Sequence, residues 1–196
     1  MGPIAAATSR WVNDVVIGLA LCPWAQPARD RGGIRYAVTL ASTPQELSAE
    51  LASEIQVLQE TSSIETTLLI HPRVFHNWEE YYPWLVVDAE GWLEKEGLEE
   101  DFQVVGFHPS FCFGGEDFED ASNWTNRSPF PMTHILRQLS VEEAIKNHPN
   151  PMAVPEANKC LMRKLGMDHM KEIVARCLAT GGKHEDHDTD HTNKTL

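Results

Sequence analysis

Three short β-prone runs, separated by segments of helical length, constrain this chain more than any other feature. Residues 34–40, 66–70 and 102–107 are rich in aliphatic, β-branched and aromatic side chains, and turn-forming residues or prolines bound each run. Between the first two, Thr43-Pro44-Gln45-Glu46 reads as a capping box with proline at the first helical position, and Leu47, Leu51, Ile55 and Leu58 follow on one face. Between the second and third, Asn77 opens another helix, with Leu85, Val86, Ala89 and Leu93 on its buried side and Gly97 past its end; Pro83 is expected to delay or kink it. Strand–helix–strand connections of this length favour right-handed crossovers and parallel pairing. The expected fold is therefore α/β: a small, mainly parallel three-stranded sheet covered by helices. Two of the three runs end in His-Pro, at His71 and His108, and ligands of such sheets gather outside the carboxyl ends of the strands.

The remaining segments read as helix and loop. Val12, Val15, Val16 and Leu19 predict a first helix over residues 11–21, before Pro23, with a loose end preceding it. Residues 111–131 form a Gly-, Asp-, Asn-, Ser- and Pro-rich loop, of a length that is often functional. Short helices are expected over residues 133–138, at a Ser140-Val141-Glu142-Glu143 capping box, and from Pro155 and Asp168 on either side of Gly166, giving a helical C-terminal part. With 196 residues, one domain over residues 9–180 is expected. Residues 181–196 lack apolar periodicity and read as a disordered, acidic, His-rich tail.

The formal net charge of −13 comes from 29 acidic and 16 basic side chains, and the basic ones are scattered. Phosphate backbones and anionic membranes are held by concentrated Lys and Arg, so neither nucleic acid nor membrane is expected as a partner. No apolar run spans a bilayer and the N-terminal residues lack secretory order, so a soluble, cytoplasmic protein is expected. The four cysteines, Cys22, Cys112, Cys160 and Cys177, are far apart with no C-x-x-C pair, which fits reduced thiols.

Candidate chemistry centres on residues 108–137. His71, His108 and His134 form one candidate set: three imidazoles converging at a sheet edge could ligate a divalent metal such as zinc or iron, or act as catalytic acid/base groups. Such strand-end histidines can also simply bond to loop backbone. Asn123, Thr125, Asn126, Arg127 and Ser128 form a polar cluster suited to a small anion, to which Arg35 and Arg137 could add charge; the same residues could instead hold the loop in shape. Cys22, at the end of the first helix, is a third candidate, although a helix C-terminus raises a thiol pKa.

Four stretches, LALCPWAQPARDRGGIRY, ETTLLIHP, FQVVGFHP and NWTNRSPFPMTHILR, resemble an uncharacterised family, domain of unknown function 1415, from the first helix through about Leu165. The resemblance implies a compact soluble domain and assigns no activity. The residues alone leave three readings. The first is a hydrolase-like enzyme acting on a small anionic molecule, with His71, His108 and His134 as metal ligands or acid/base groups and Arg127 orienting the substrate. The second is a non-catalytic binding or scaffold protein using the Asn-Arg loop. The third is a thiol oxidoreductase at Cys22.

Overall fold

In a computed structural model, which describes residues 1–179, the chain builds a four-stranded mixed sheet between two layers of helix. The expected tail over residues 181–196 lies outside the described residues. Strands β1 (Ile34–Val38), β2 (Thr66–Ile70) and β3 (Phe102–Phe107) fall where the sequence predicts them. The sheet order is β1-β2-β4-β3, and the fourth strand, β4 (Met132–Arg137), replaces the helix expected over residues 133–138. β1 and β2 pair in parallel, while β4 runs antiparallel to both β2 and β3, so the first three strands share one direction. The expectation of a three-stranded parallel sheet is corrected to four strands and mixed pairing. The long loop carries the chain back from the end of β3, which lets β4 slot between two strands of the opposite direction.

One face of the sheet packs against α3 (Pro44–Glu60) and against a bent helix made of α4 (Trp78–Pro83), a π-helical segment (Trp84–Ala89) and α5 (Glu90–Glu96). The Thr43 capping box is fully formed, and Asn77 accepts the Glu80 N–H at 2.9 Å. Pro83 stays inside the helix, and the ladder widens to π geometry directly after it. Gly97 ends the run at φ 69°, the left-handed turn glycine adopts without penalty. Leu47, Leu51, Ile55 and Leu58 meet Leu69, Ile135 and Val104 in this layer. Gly106 is required here: a Cβ would sit 2.7 Å from Leu85 Cδ2 and 2.9 Å from Tyr81 Cε1.

The other face packs against α1 (Pro3–Trp11), its π-helical continuation (Val12–Ile17), α7 (Val154–Leu165) and α8 (Met167–Ala179). The first helix begins at Pro3, earlier than its apolar periodicity indicates, because proline sits comfortably at a first helical position. Trp11, Leu68, Ile70, Met132, Met162 and Met170 form the centre of this second layer. Two short helices, α2 (Ala25–Asp30) and α6 (Gln138–Asn147), stand at the end of the same face, and α6 buries none of its side chains. Gln138 opens α6, so Ser140 falls inside its first turn and the expected capping box at Ser140 does not form.

Candidate functional site

Each predicted site residue takes its position from strand parity. Successive residues of a strand point to opposite faces. His71 follows Thr67 and Leu69, and His108 follows Val104 and Gly106, so both turn to the α3–α5 face. His134 lies between Thr133 and Ile135 on β4 and turns to the opposite face. Among the described residues no three His, Cys, Asp or Glu side chains come together to hold a metal ion. The sheet itself separates His134 from His71 and His108.

His71 and His108 are built into a closed polar knot. They are 0% and 1% exposed. The His108 Nε2–H donates to the Phe75 carbonyl at 3.0 Å, and its Nδ1 accepts the Ser110 N–H at 3.0 Å. Ser110 Oγ in turn accepts the Trp78 N–H at 3.1 Å, so one imidazole joins the loop after β2, the turn after β3 and the start of α4. Phe75 sits at φ 60°, a conformation costing about 1–2 kcal/mol for such a side chain, and the bond to its carbonyl helps to hold it there. The Tyr81 hydroxyl donates to the Met132 carbonyl at 3.0 Å and lies 2.8 Å from Thr133 Oγ1, which is 3.3 Å from His71 Nε2. His71 Nδ1 is sealed in without a hydrogen-bond partner among the described residues. Burial pushes His71 down to about 3, lowers His108 as well, and raises the Tyr81 phenol far above its ordinary range. Both imidazoles are therefore neutral near pH 7.

The arginines are spent on architecture. The Arg127 Nε–H donates to the Phe111 carbonyl at 3.0 Å and an Nη2–H donates to the Phe118 carbonyl at 2.7 Å, while its guanidinium lies over the Phe118 ring at 4.4 Å. Asn126 Oδ1 accepts the Thr125 hydroxyl at 2.9 Å, and the Ser128 hydroxyl donates to the Phe130 carbonyl at 2.7 Å. Arg35 is paired with Glu54 at 2.7 and 2.9 Å, tying β1 to α3. Arg137 donates to the carbonyls of Leu58, Thr61 and Ile64, closing the end of α3. These five residues stand in different places and do not form one anion cradle. Asn123, the first member of the polar cluster, shapes the loop: its amide accepts from the Phe113 N–H and donates to the carbonyls of Asp117 and Phe118.

The opposite face holds open space. A cavity of about 310 Å³ lies between β2, β4 and β3 below and the α1, α2 and α6 segments around it. Trp11, Val12 and Val16 form one wall, Cys22, Trp24 and Ala28 another, and Leu68, Val105, Phe107, His134 and Leu136 the floor; Val141 and Ala144 of α6 close the roof. Trp24 ties that roof to α2, its indole N–H donating to the Ala144 carbonyl at 3.0 Å. Burial pushes the Cys22 thiol up, which works against thiolate chemistry there. A shallower depression beside the cavity carries Arg31 and Arg137, but Arg31 is paired with Glu65 and Arg137 is spent on α3.

His134 is one of the polar residues that line the cavity, with Glu65, Thr66, Gln103 and Ser140. Thr66 Oγ1 donates its single proton to the Ile135 carbonyl at 2.7 Å. It must therefore accept at its 2.6 Å contact with His134, which places the ring proton on Nε2. Nδ1 is left as a lone pair with no protein partner among the described residues. Burial pushes this imidazole down to about 4, so it stays neutral. Thr66 and the aromatic wall went unnoticed in the sequence, and the run over residues 132–137 lacks the polar alternation that marks a strand.

All four stretches that carry the family resemblance contribute to this cavity: Cys22 and Trp24 from the first, Thr66 and Leu68 from the second, Val105 and Phe107 from the third, and His134 from the fourth. The model of a family described as proteins of unknown function, DUF1415, matches residues 3–172. The chain belongs to that family. The match covers both sheet faces and every candidate residue. No curated protein and no solved structure matches the chain. None of the helices among the described residues is long and apolar enough to cross a membrane.

Proposed function

We propose that this protein binds a small, largely apolar molecule in the cavity between the sheet and the α1, α2 and α6 segments. The observation that carries this reading is the cavity itself. Its 310 Å³ lie at the lower end of the range for small-molecule sites and equal the space of roughly ten waters. Its walls are mainly aliphatic and aromatic, and interiors of small domains are otherwise close-packed. An occupant restores the contacts that such walls otherwise lack.

Hydrolysis of an anionic substrate has weaker support. The nitrogens of His108 are both engaged, His71 is sealed, and two of the donors of Arg127 already meet carbonyls. His134, held down to about 4, is a poor proton acceptor at neutral pH, where a general base works best with a pKa near the ambient value. Binding accounts for a mainly apolar site whose lining carries a few polar groups, Glu65, Thr66, Gln103, His134 and Ser140; acid/base catalysis does not require these walls.

The test is a titration of the full chain with toluene, followed by the methyl resonances of Val12, Val16, Leu68, Val105 and Leu136. Saturable shifts concentrated on these methyls are expected, and toluene at ten times its Kd should add about 1.4 kcal/mol of stability. Ala144→Phe, on a helix with no buried side chain, puts a ring into the space and should abolish the shifts while the protein stays folded. Shifts that are absent, or that fall outside this set, overturn the reading.

A further inference from the structure

The occupant's chemical class can be read from His134, which lines the cavity and whose Nδ1 has no protein partner among the described residues. We infer that the ligand is a small, neutral ring compound bearing one hydroxyl or N–H donor, and that His134 Nδ1 is the acceptor that selects it. This inference rests on the proposed binding function and sharpens it.

Three groups in series set the chemistry of the floor. The Ile135 carbonyl is a backbone acceptor and can take only a proton, so it fixes the orientation of the Thr66 hydroxyl. The oriented hydroxyl presents a lone pair to His134 and thereby fixes the imidazole tautomer. The outcome at the cavity floor is an acceptor, and none of the described residues offers Nδ1 a donor. A ligand without a donor would cover this lone pair and strip it of water; a buried acceptor left unmade is costly. A ligand with a donor makes the bond and leaves nothing stranded.

Two further features narrow the class. An anionic group would bring a second set of lone pairs against Nδ1, and among the described residues that line the cavity there is no Lys or Arg to compensate it. The guanidinium groups of Arg31 and Arg137 belong to the adjoining depression and are engaged with Glu65 and with the carbonyls of Leu58, Thr61 and Ile64. The apolar walls include the rings of Trp11, Trp24 and Phe107, which favour a flat apolar body, and the volume suits a single small ring compound. Sites built to satisfy a ligand's hydroxyl or N–H reject analogues that lack it more strongly than apolar pockets reject a change of one methyl.

The probes are p-cresol, p-xylene and 4-methylbenzoate, which share a ring and a methyl group and differ in one substituent. The full chain is expected to bind p-cresol about tenfold more tightly than p-xylene, with 4-methylbenzoate weaker than both. In the wild-type protein the long-range proton–nitrogen correlations of the His134 ring should show Nδ1 unprotonated before ligand is added. That nitrogen signal should move on adding p-cresol and stay in place on adding p-xylene. His134→Phe should reverse the order of the two neutral probes, and Thr66→Val, which frees the tautomer, should shrink the preference to about twofold or less. Equal or tighter binding of p-xylene by the wild-type chain, or a protonated Nδ1, overturns the inference and leaves the binding function standing. If none of the three probes nor toluene binds, the binding function fails and the inference fails with it.

Discussion

On one face of the sheet His71 and His108 stand among Tyr81, Thr133, Phe75 and Ser110; on the other, His134 stands beside Thr66 and a cavity. All three imidazoles are held neutral by burial. They differ in where their lone pairs and protons go. The nitrogens of His108 are bonded to backbone, and through them three separate chain segments are joined. Among the described residues His134 makes one ring bond, to Thr66, and its second nitrogen has no partner. A buried histidine with both nitrogens spent is a structural fastener, whereas one with a fixed tautomer and a free nitrogen beside open space can select a ligand. Burial and a shifted pKa do not tell these two apart; the hydrogen-bond inventory does.

The largest effect expected from this contrast is on stability. His108→Ala strands the Phe75 carbonyl and the Ser110 N–H in a buried setting and releases the strained Phe75, so a loss of about 2–5 kcal/mol is expected. His134→Phe removes one bond and adds apolar volume where there is space, so the change should remain within about 1 kcal/mol. Urea unfolding of both variants measures the difference. A His134→Phe protein less stable than His108→Ala would reverse the assignment of fastener and selector.

The second effect is on the acid limb of stability. Both His71 and His134 have folded-state pKa values below the ordinary 6.5, at about 3 and about 4. Between those values and 6.5 the unfolded chain binds more protons than the folded one. The stability contributed by the neutral imidazoles is therefore complete above pH 6.5 and is lost as the pH falls, down to about pH 4 for His134 and about pH 3 for His71. Each histidine contributes a slope on the order of 1.4 kcal/mol per pH unit within its window. His134→Phe should remove one such slope between pH 6.5 and about 4, leaving that of His71. The carboxylates titrate alike in both proteins, so the difference between two unfolding series isolates the histidine. Identical slopes would mean that His134 reaches water more freely than its surroundings indicate.

Much of this comparison was legible in the sequence, and the part that was not has a common cause. The Thr43 box, the Asn77 cap, Gly97, and the α7 and α8 helices around Gly166 are local signals, and each stands where the chain chemistry places it. The strand-end positions of His71 and His108 were legible for the same reason. β4 was not, because both of its faces are covered: Met132, Thr133 and Ile135 are all 0% exposed, and such a run carries no polar alternation to separate strand from helix. Assigning His134 to a helix conceals which face it shares with His71, so the three histidines looked able to converge. Arg127 was ambiguous in a different way. A guanidinium has the same donors for a ligand carboxylate as for a loop carbonyl, and only the closed fold shows that Phe111 and Phe118 take them.

The smallest effect separates the Asn-Arg loop from the cavity. Arg127→Lys loses the fork that spans the Phe111 and Phe118 carbonyls, since one ammonium can reach at most one of them in that geometry, and it loses the guanidinium stacking over Phe118. A cost of about 1–2 kcal/mol is expected, visible as a lower urea midpoint with an unchanged slope. Affinity for toluene should stay within about twofold of the wild-type value, because Arg127 does not line the cavity. The opposite pattern, an unaltered midpoint together with lost affinity, would move the binding site to the loop. It would also make Arg127 a ligand-facing group, and the carbonyls of Phe111 and Phe118 would then be only its resting partners.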